Sequence, residues 1–75
     1  MENKIKYLLF AMETYKQQRH LTGKQVYEHF KKYHFDDYIL DLYELLHVQG
    51  TRRLMEELDE YQAIQERKTN VHSNA

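Results

Sequence analysis

The sequence predicts an all-α fold: a small four-helix domain, orthogonal or bundle-like, over residues 1–66, with a disordered polar C-terminal tail over 67–75. Three observations predict it. Apolar residues recur at helical spacing in four stretches, and none alternates as a strand would. The chain has no proline to break those stretches, and its two glycines stand where turns are wanted. With only 75 residues and no cysteine, it builds one small core without disulfide staples, so a partner subunit would be a common supplement.

The first helix runs from about Asn3 to Gln18, with Ile5, Leu8, Leu9, Met12 and Tyr15 on one face. The second opens on a strong start signal. Thr22 caps, Gln25 reaches back to complete a capping box, and Leu21 packs against Val26 as a hydrophobic staple. Val26, Tyr27, Phe30 and Tyr33 form its buried face, and Glu28, Lys31 and Lys32 its solvated one. His34 ends it near a left-handed position. Asp36 or Asp37 caps the third helix, with Phe35 and Leu40 as a staple. Tyr38, Ile39, Leu42, Leu45 and Leu46 make its core face, and Gly50 stops it. Thr51 caps the fourth helix, whose apolar face is Leu54, Met55, Leu58 and Tyr61. From Arg67 onward "RKTNVHSNA" is polar and patternless.

Composition narrows the function. Eleven basic and twelve acidic residues leave a net charge of −1, which gives no global attraction to nucleic acid or to an anionic membrane. The short apolar run "YLLFAM" is followed by Glu13 and Lys16 and lacks a cleavage pattern, so a signal peptide is not expected. No stretch is long and apolar enough for a membrane span. A soluble cytoplasmic protein is the expectation.

Little points to chemistry. His20, His29, His34 and His47 are not spaced to share a metal, and there is no Cys/His cluster or HExxH motif. Ser73, in the tail, is the only serine, and no nucleophile–base pair is evident. No catalytic residue, metal or cofactor is therefore expected. A small DNA-binding regulator is the alternative reading, with the second and third helices as a helix-turn-helix. Against it, Asp36, Asp37, Asp41 and Glu44 would repel phosphates from the recognition helix, and Phe30 is bulky where that motif packs tightly.

Protein–protein interaction fits better. On a helical wheel Tyr7 and Phe10 lie opposite the main apolar face of the first helix. In the third, Leu40 and His47 lie behind the main face and Tyr43 at its edge. A helix with two apolar sides is either central in its own domain or covered by another chain, and both remain open. A homodimer through Tyr7 and Phe10 is one form of the second. Arg52 and Arg53 open the fourth helix, where the dipole disfavours cations. They pair with Glu56 and Glu57, reach the exposed carbonyls ending the third helix, or offer a basic spot to an acidic partner. His47, in a last turn beside Gln49 and Gly50, either caps exposed carbonyls or touches a partner. The candidate partner-binding residues are Tyr7, Phe10, Leu40, Tyr43, Arg52 and Arg53.

"LTGKQVYEHFKKYHFDDYI" together with "YELLHVQG" resembles a family of short bacterial proteins catalogued as domain of unknown function 3791. Leu21, Thr22, Gly23, Lys24, Val26, Tyr27, Phe30 and Tyr33 carry the first part of the pattern. Tyr38 and Ile39 carry the second, and Leu46, His47, Gln49 and Gly50 the third. His34 departs from the glycine usual in that family. Members are often encoded beside proteins similar to ADP-ribosyltransferase toxins, so the resemblance implies an antitoxin or accessory role and a toxin encoded nearby as partner. It implies no catalytic residues.

Overall fold

A computed structural model of the chain describes the backbone of residues 2–74 and the side chains of residues 4–68. It contains α1 (Glu2–Gln18), α2 (Gly23–Tyr33), α3 (Phe35–Asp41), α4 (Tyr43–Leu46) and α5 (Gly50–Asn74), with no strand among the described residues. The fold is all-α, as the sequence predicts, with one difference. The expected third helix is two helices, α3 and α4, broken at Leu42. Neither glycine nor proline makes that break. Leu42 sits at φ −105 and ψ 20, outside the helical well, and α4 tips so that Leu46 is buried while Leu45 faces out. Packing of Leu46 overrides the local preference for a continuous helix.

α1 closes with a paired arrangement. The Leu21 N–H donates to the Lys16 carbonyl at 2.9 Å and the His20 N–H to the Gln17 carbonyl at 3.4 Å, around a left-handed His20 at φ 56. This is a Schellman stop built on histidine where glycine is usual. α2 then starts as its sequence demands. The Gln25 N–H donates to Thr22 Oγ1 at 3.1 Å, and the Thr22 N–H donates to Gln25 Oε1 at 2.9 Å. Both halves of the capping box are made.

His34 adopts φ 58 and is a one-residue corner. Its N–H closes α2 on the Lys31 carbonyl, and its own carbonyl accepts the Tyr38 N–H of α3 at 3.1 Å. Neither Asp36 nor Asp37 is the cap of α3; His34 is, without a side-chain bond. The corner leaves no spare residue between the helices, so both aspartates fall inside the first turn, where the dipole favours them. Asp36 there accepts from Lys31 Nζ at 2.9 Å. Its carboxyl lies below the usual range; burial works against this, and the bonds from Lys31 and the Asp37 N–H outweigh it.

The core is centred on Phe30, Phe35, Ile39, Leu54 and Leu58, with Ala11, Tyr15, Val26, Leu46 and Met55 around them. Tyr15, Phe30 and Phe35 meet edge to face at centroid distances of 5.2–5.8 Å, the arrangement that ring quadrupoles favour. Several expected core residues are not there. Ile5, Leu9, Tyr27 and Leu45 are 53%, 60%, 56% and 61% exposed. For α1 the reason is Ala11. With Tyr15 it forms the fully inward face, and that rotation carries Ile5 and Leu9 out to the flank.

Gly50, at φ +84, turns the chain from α4 into α5, a conformation that strains any residue with a Cβ. α5 buries Leu54, Met55 and Leu58. The polar tail expected from Arg67 lies, from residue 69 on, outside the described side chains.

Candidate partner-binding surface

Part of the aromatic surface that α1 and α4 leave outside the core meets along one line. Tyr7, half-buried on α1, sets the edge of its ring against Tyr43 of α4 at 5.5 Å and 73°. Phe10, one turn further along α1, lies 6.2 Å from Tyr7 and is 48% exposed. Tyr43 in turn stacks on His47 at 4.4 Å with the rings 10° from parallel. The result is a continuous aromatic row, Phe10–Tyr7–Tyr43–His47, crossing two helices. Its middle is partly desolvated: burial first, and the neighbouring Tyr43 second, push the Tyr7 hydroxyl above its usual pKa.

Three of the candidate residues, Tyr7, Phe10 and Tyr43, are thus brought together. Leu40 is half-buried on α3, one turn before Tyr43. Arg52 and Arg53 stand apart on α5 and share no ring or ion contact with the row among the described residues. Arg53 reaches Glu56 Oε1 at 3.3 Å and Glu57 Oε2 at 3.0 Å. Those partners, Glu56 first, raise its pKa. This is the helical pairing that the spacing allows. Arg52 is exposed and makes no ion pair among the described residues.

Other exposed apolar residues carry no surface signal in the sequence. Ile5 and Leu9 sit on the flank of α1 away from Phe10, and Val48, between α4 and α5, is 72% exposed. The signal is weak because wheel position alone does not fix which apolar residues of α1 face inward. A small residue such as Ala11 carries little weight on a wheel, yet it marks the closest approach to the core.

A second polar–aromatic group has no motif or spacing signal in the sequence. His29 of α2, half-buried, places Nε2 3.1 Å from the Tyr15 hydroxyl and 2.9 Å from Gln62 Oε1 of α5. Beside it a shallow depression of about 270 Å³ is lined by Leu21, Gln25, Glu28, His29 and Lys32. Three of those five are charged or engaged in the capping box, which suits a solvated surface better than an apolar ligand. Among the described residues no cluster of histidine and acidic side chains is placed to hold a metal ion, and no helix is long and apolar enough to cross a membrane.

No curated protein and no solved structure matches the chain. Residues 6–67 match the family described as "Protein of unknown function (DUF3791)". The match spans α1 from Lys6, all of α2, α3 and α4, and α5 as far as Arg67, including the aromatic row, Arg52 and Arg53. The chain belongs to that family.

Proposed function

We propose that this chain is a protein–protein interaction module and that it binds its partner through α1 and the aromatic row beside it. One observation carries the reading. α1 is a core helix that buries Ala11 and Tyr15, yet Ile5, Leu9 and Phe10 on the same helix are each about half exposed or more. A surface helix needs one apolar stripe, and side chains of this size in the centre of an interface can each be worth about 2 kcal/mol or more. The exposed Asp37, Asp41 and Glu44 of α3 and α4 speak against a phosphate backbone as the partner. The finer reading is an antitoxin that binds a toxin encoded nearby, and it rests on the resemblance to a family whose members often have such a neighbour.

Co-expression with the neighbouring gene product tests this. The pair should co-elute in gel filtration, and growth should be restored where the neighbour is toxic. Phe10→Asp with Leu9→Asp should abolish both while circular dichroism stays unchanged, because neither side chain is buried. Arg52→Glu with Arg53→Glu should have a smaller, salt-dependent effect, as expected of rim charges. A complex that survives the α1 double variant would place the interface elsewhere. Light scattering on the isolated chain separates a homodimer through the same face from a heteromeric partner.

A further inference from the structure

α5 is attached to the domain in two different ways along its length. Its first half is a core helix, with Leu54 and Leu58 fully buried and Met55 nearly so. Between residues 59 and 66 the attachment changes. Tyr61 contributes one half-buried ring, stacked on Tyr38 at 4.2 Å and 6.2 Å from Phe35. Ile64 is 41% exposed. Polar ties among the described residues add to the attachment. Arg19 holds both carboxylate oxygens of Asp59, at 2.8 and 2.6 Å. Tyr33 donates its hydroxyl hydrogen to Glu66 Oε2 at 2.8 Å, and Gln65 Nε2 donates to the Tyr33 carbonyl at 2.6 Å. Gln62 donates from its amide nitrogen to the same Glu66 oxygen at 3.3 Å, which turns its own oxygen toward His29. His29 therefore carries its hydrogen on Nε2 and donates to Gln62 at 2.9 Å.

Beneath these bonds lies an aromatic wall. His29 packs against Tyr15, Tyr33 and Phe35 at centroid distances of 5.3, 4.8 and 5.5 Å. Surface polar bonds are exchanged for bonds to water at small net cost, whereas withdrawing Leu54 or Leu58 would open the core. Local opening free energies differ along a structure for this reason.

We infer that residues 59–66 of α5 form a strap, which releases from α2, from Arg19 and from Tyr38 as one unit while residues 50–58 and the other four helices stay folded. Closed, the strap covers His29, Tyr33 and the edge of Phe35. Open, it uncovers the rest of an aromatic surface that the closed domain leaves half exposed.

Native-state hydrogen exchange on the full chain tests this. Amides 62–66 should share one level of protection, well below that of amides 54–58. Tyr33→Phe with Gln62→Ala and Gln65→Ala removes three of the ties and, by bringing in alanine, does not weaken the helix itself. It should speed exchange of amides 62–66 on the order of tenfold and leave amides 26–30 and 54–58 unchanged. Equal protection from 54 to 66 overturns the strap. So does protection that falls residue by residue toward the C-terminus, which is plain fraying. Acceleration throughout the domain in the triple variant overturns it as well.

Discussion

His47 donates from Nδ1 to the carbonyl of Tyr43 at 2.7 Å, and its ring lies flat on the Tyr43 ring one turn back. A carbonyl only accepts, so Nδ1 carries the hydrogen. The same carbonyl takes the His47 backbone N–H at 3.0 Å. The imidazole therefore adds a second donor to a carbonyl already bonded along the helix, and ties the C-cap of α4 back to its first residue. It also closes one end of the aromatic row, so one side chain serves both the helix end and the surface.

Replacing His47 by Gln should cost about 0.5–1.5 kcal/mol, the worth of one such hydrogen bond, and lower the melting temperature by a few degrees. Thermal unfolding followed by circular dichroism measures it. If melting is unchanged and partner affinity falls, His47 is a recognition residue and its bond to Tyr43 is incidental.

Thr22→Ala removes the Oγ1 that accepts the Gln25 N–H and should destabilise the domain by about 1 kcal/mol. Thr22→Ser keeps the acceptor and should stay close to the wild type. Urea titrations of the three proteins, compared at equal slope, give the ordering; an alanine variant as stable as the serine one would show that the box contributes nothing.

Phe35 is fully buried and touches Tyr15, Phe30, Tyr33 and Tyr61 as well as His29. Phe35→Ala should cost about 3–5 kcal/mol, enough to unfold most of a domain this small at room temperature. One-dimensional proton spectra would show the loss of dispersed ring-shifted signals. Persistence of those signals would mean that the core does not pivot on Phe35.

Glu66 titrates below its ordinary value of 4.5, first because Tyr33 donates to it and then because Gln62 does. A carboxyl whose folded pKa is depressed stabilises fully above its unfolded value, and that contribution is lost as pH falls through the folded one. The stability gap between the wild type and Tyr33→Phe should therefore be open at neutral pH and narrow in acid. Melting curves of both proteins from neutral to strongly acidic pH test this, and a gap that is constant or widens in acid rules out a charge-assisted bond. Because Glu66 is exposed, the gap should be small.

Much of the architecture is legible in the chain. Thr22 and Gln25 announce the start of α2 because a capping box is local chemistry, closed within four residues. Leu54, Met55, Leu58 and Tyr61 announce the inward face of α5 by spacing alone. The same logic failed for Ile5, Leu9, Tyr27 and Leu45, which have the right spacing and the wrong exposure. A wheel gives the width of an apolar stripe and not its absolute rotation against a neighbour. Of the candidate surface, Tyr7 and Phe10 were visible as a second apolar side of α1, whereas their continuation through Tyr43 to His47 depends on where α4 lies.

The sequence by itself determined the helical class, the single small domain, the capped start of α2 and the stops near His34 and Gly50. These follow from contacts between residues a few positions apart. Only the tertiary structure decided the break at Leu42, the aromatic row across α1 and α4, and the polar ties from His29 and Tyr33 to α5. Each joins residues distant in the chain or yields a local preference to burial elsewhere. Burial of Leu46 is not available to Leu42 until α4 has somewhere to pack, and His29 gains its partners only when α1 and α5 arrive on either side of it.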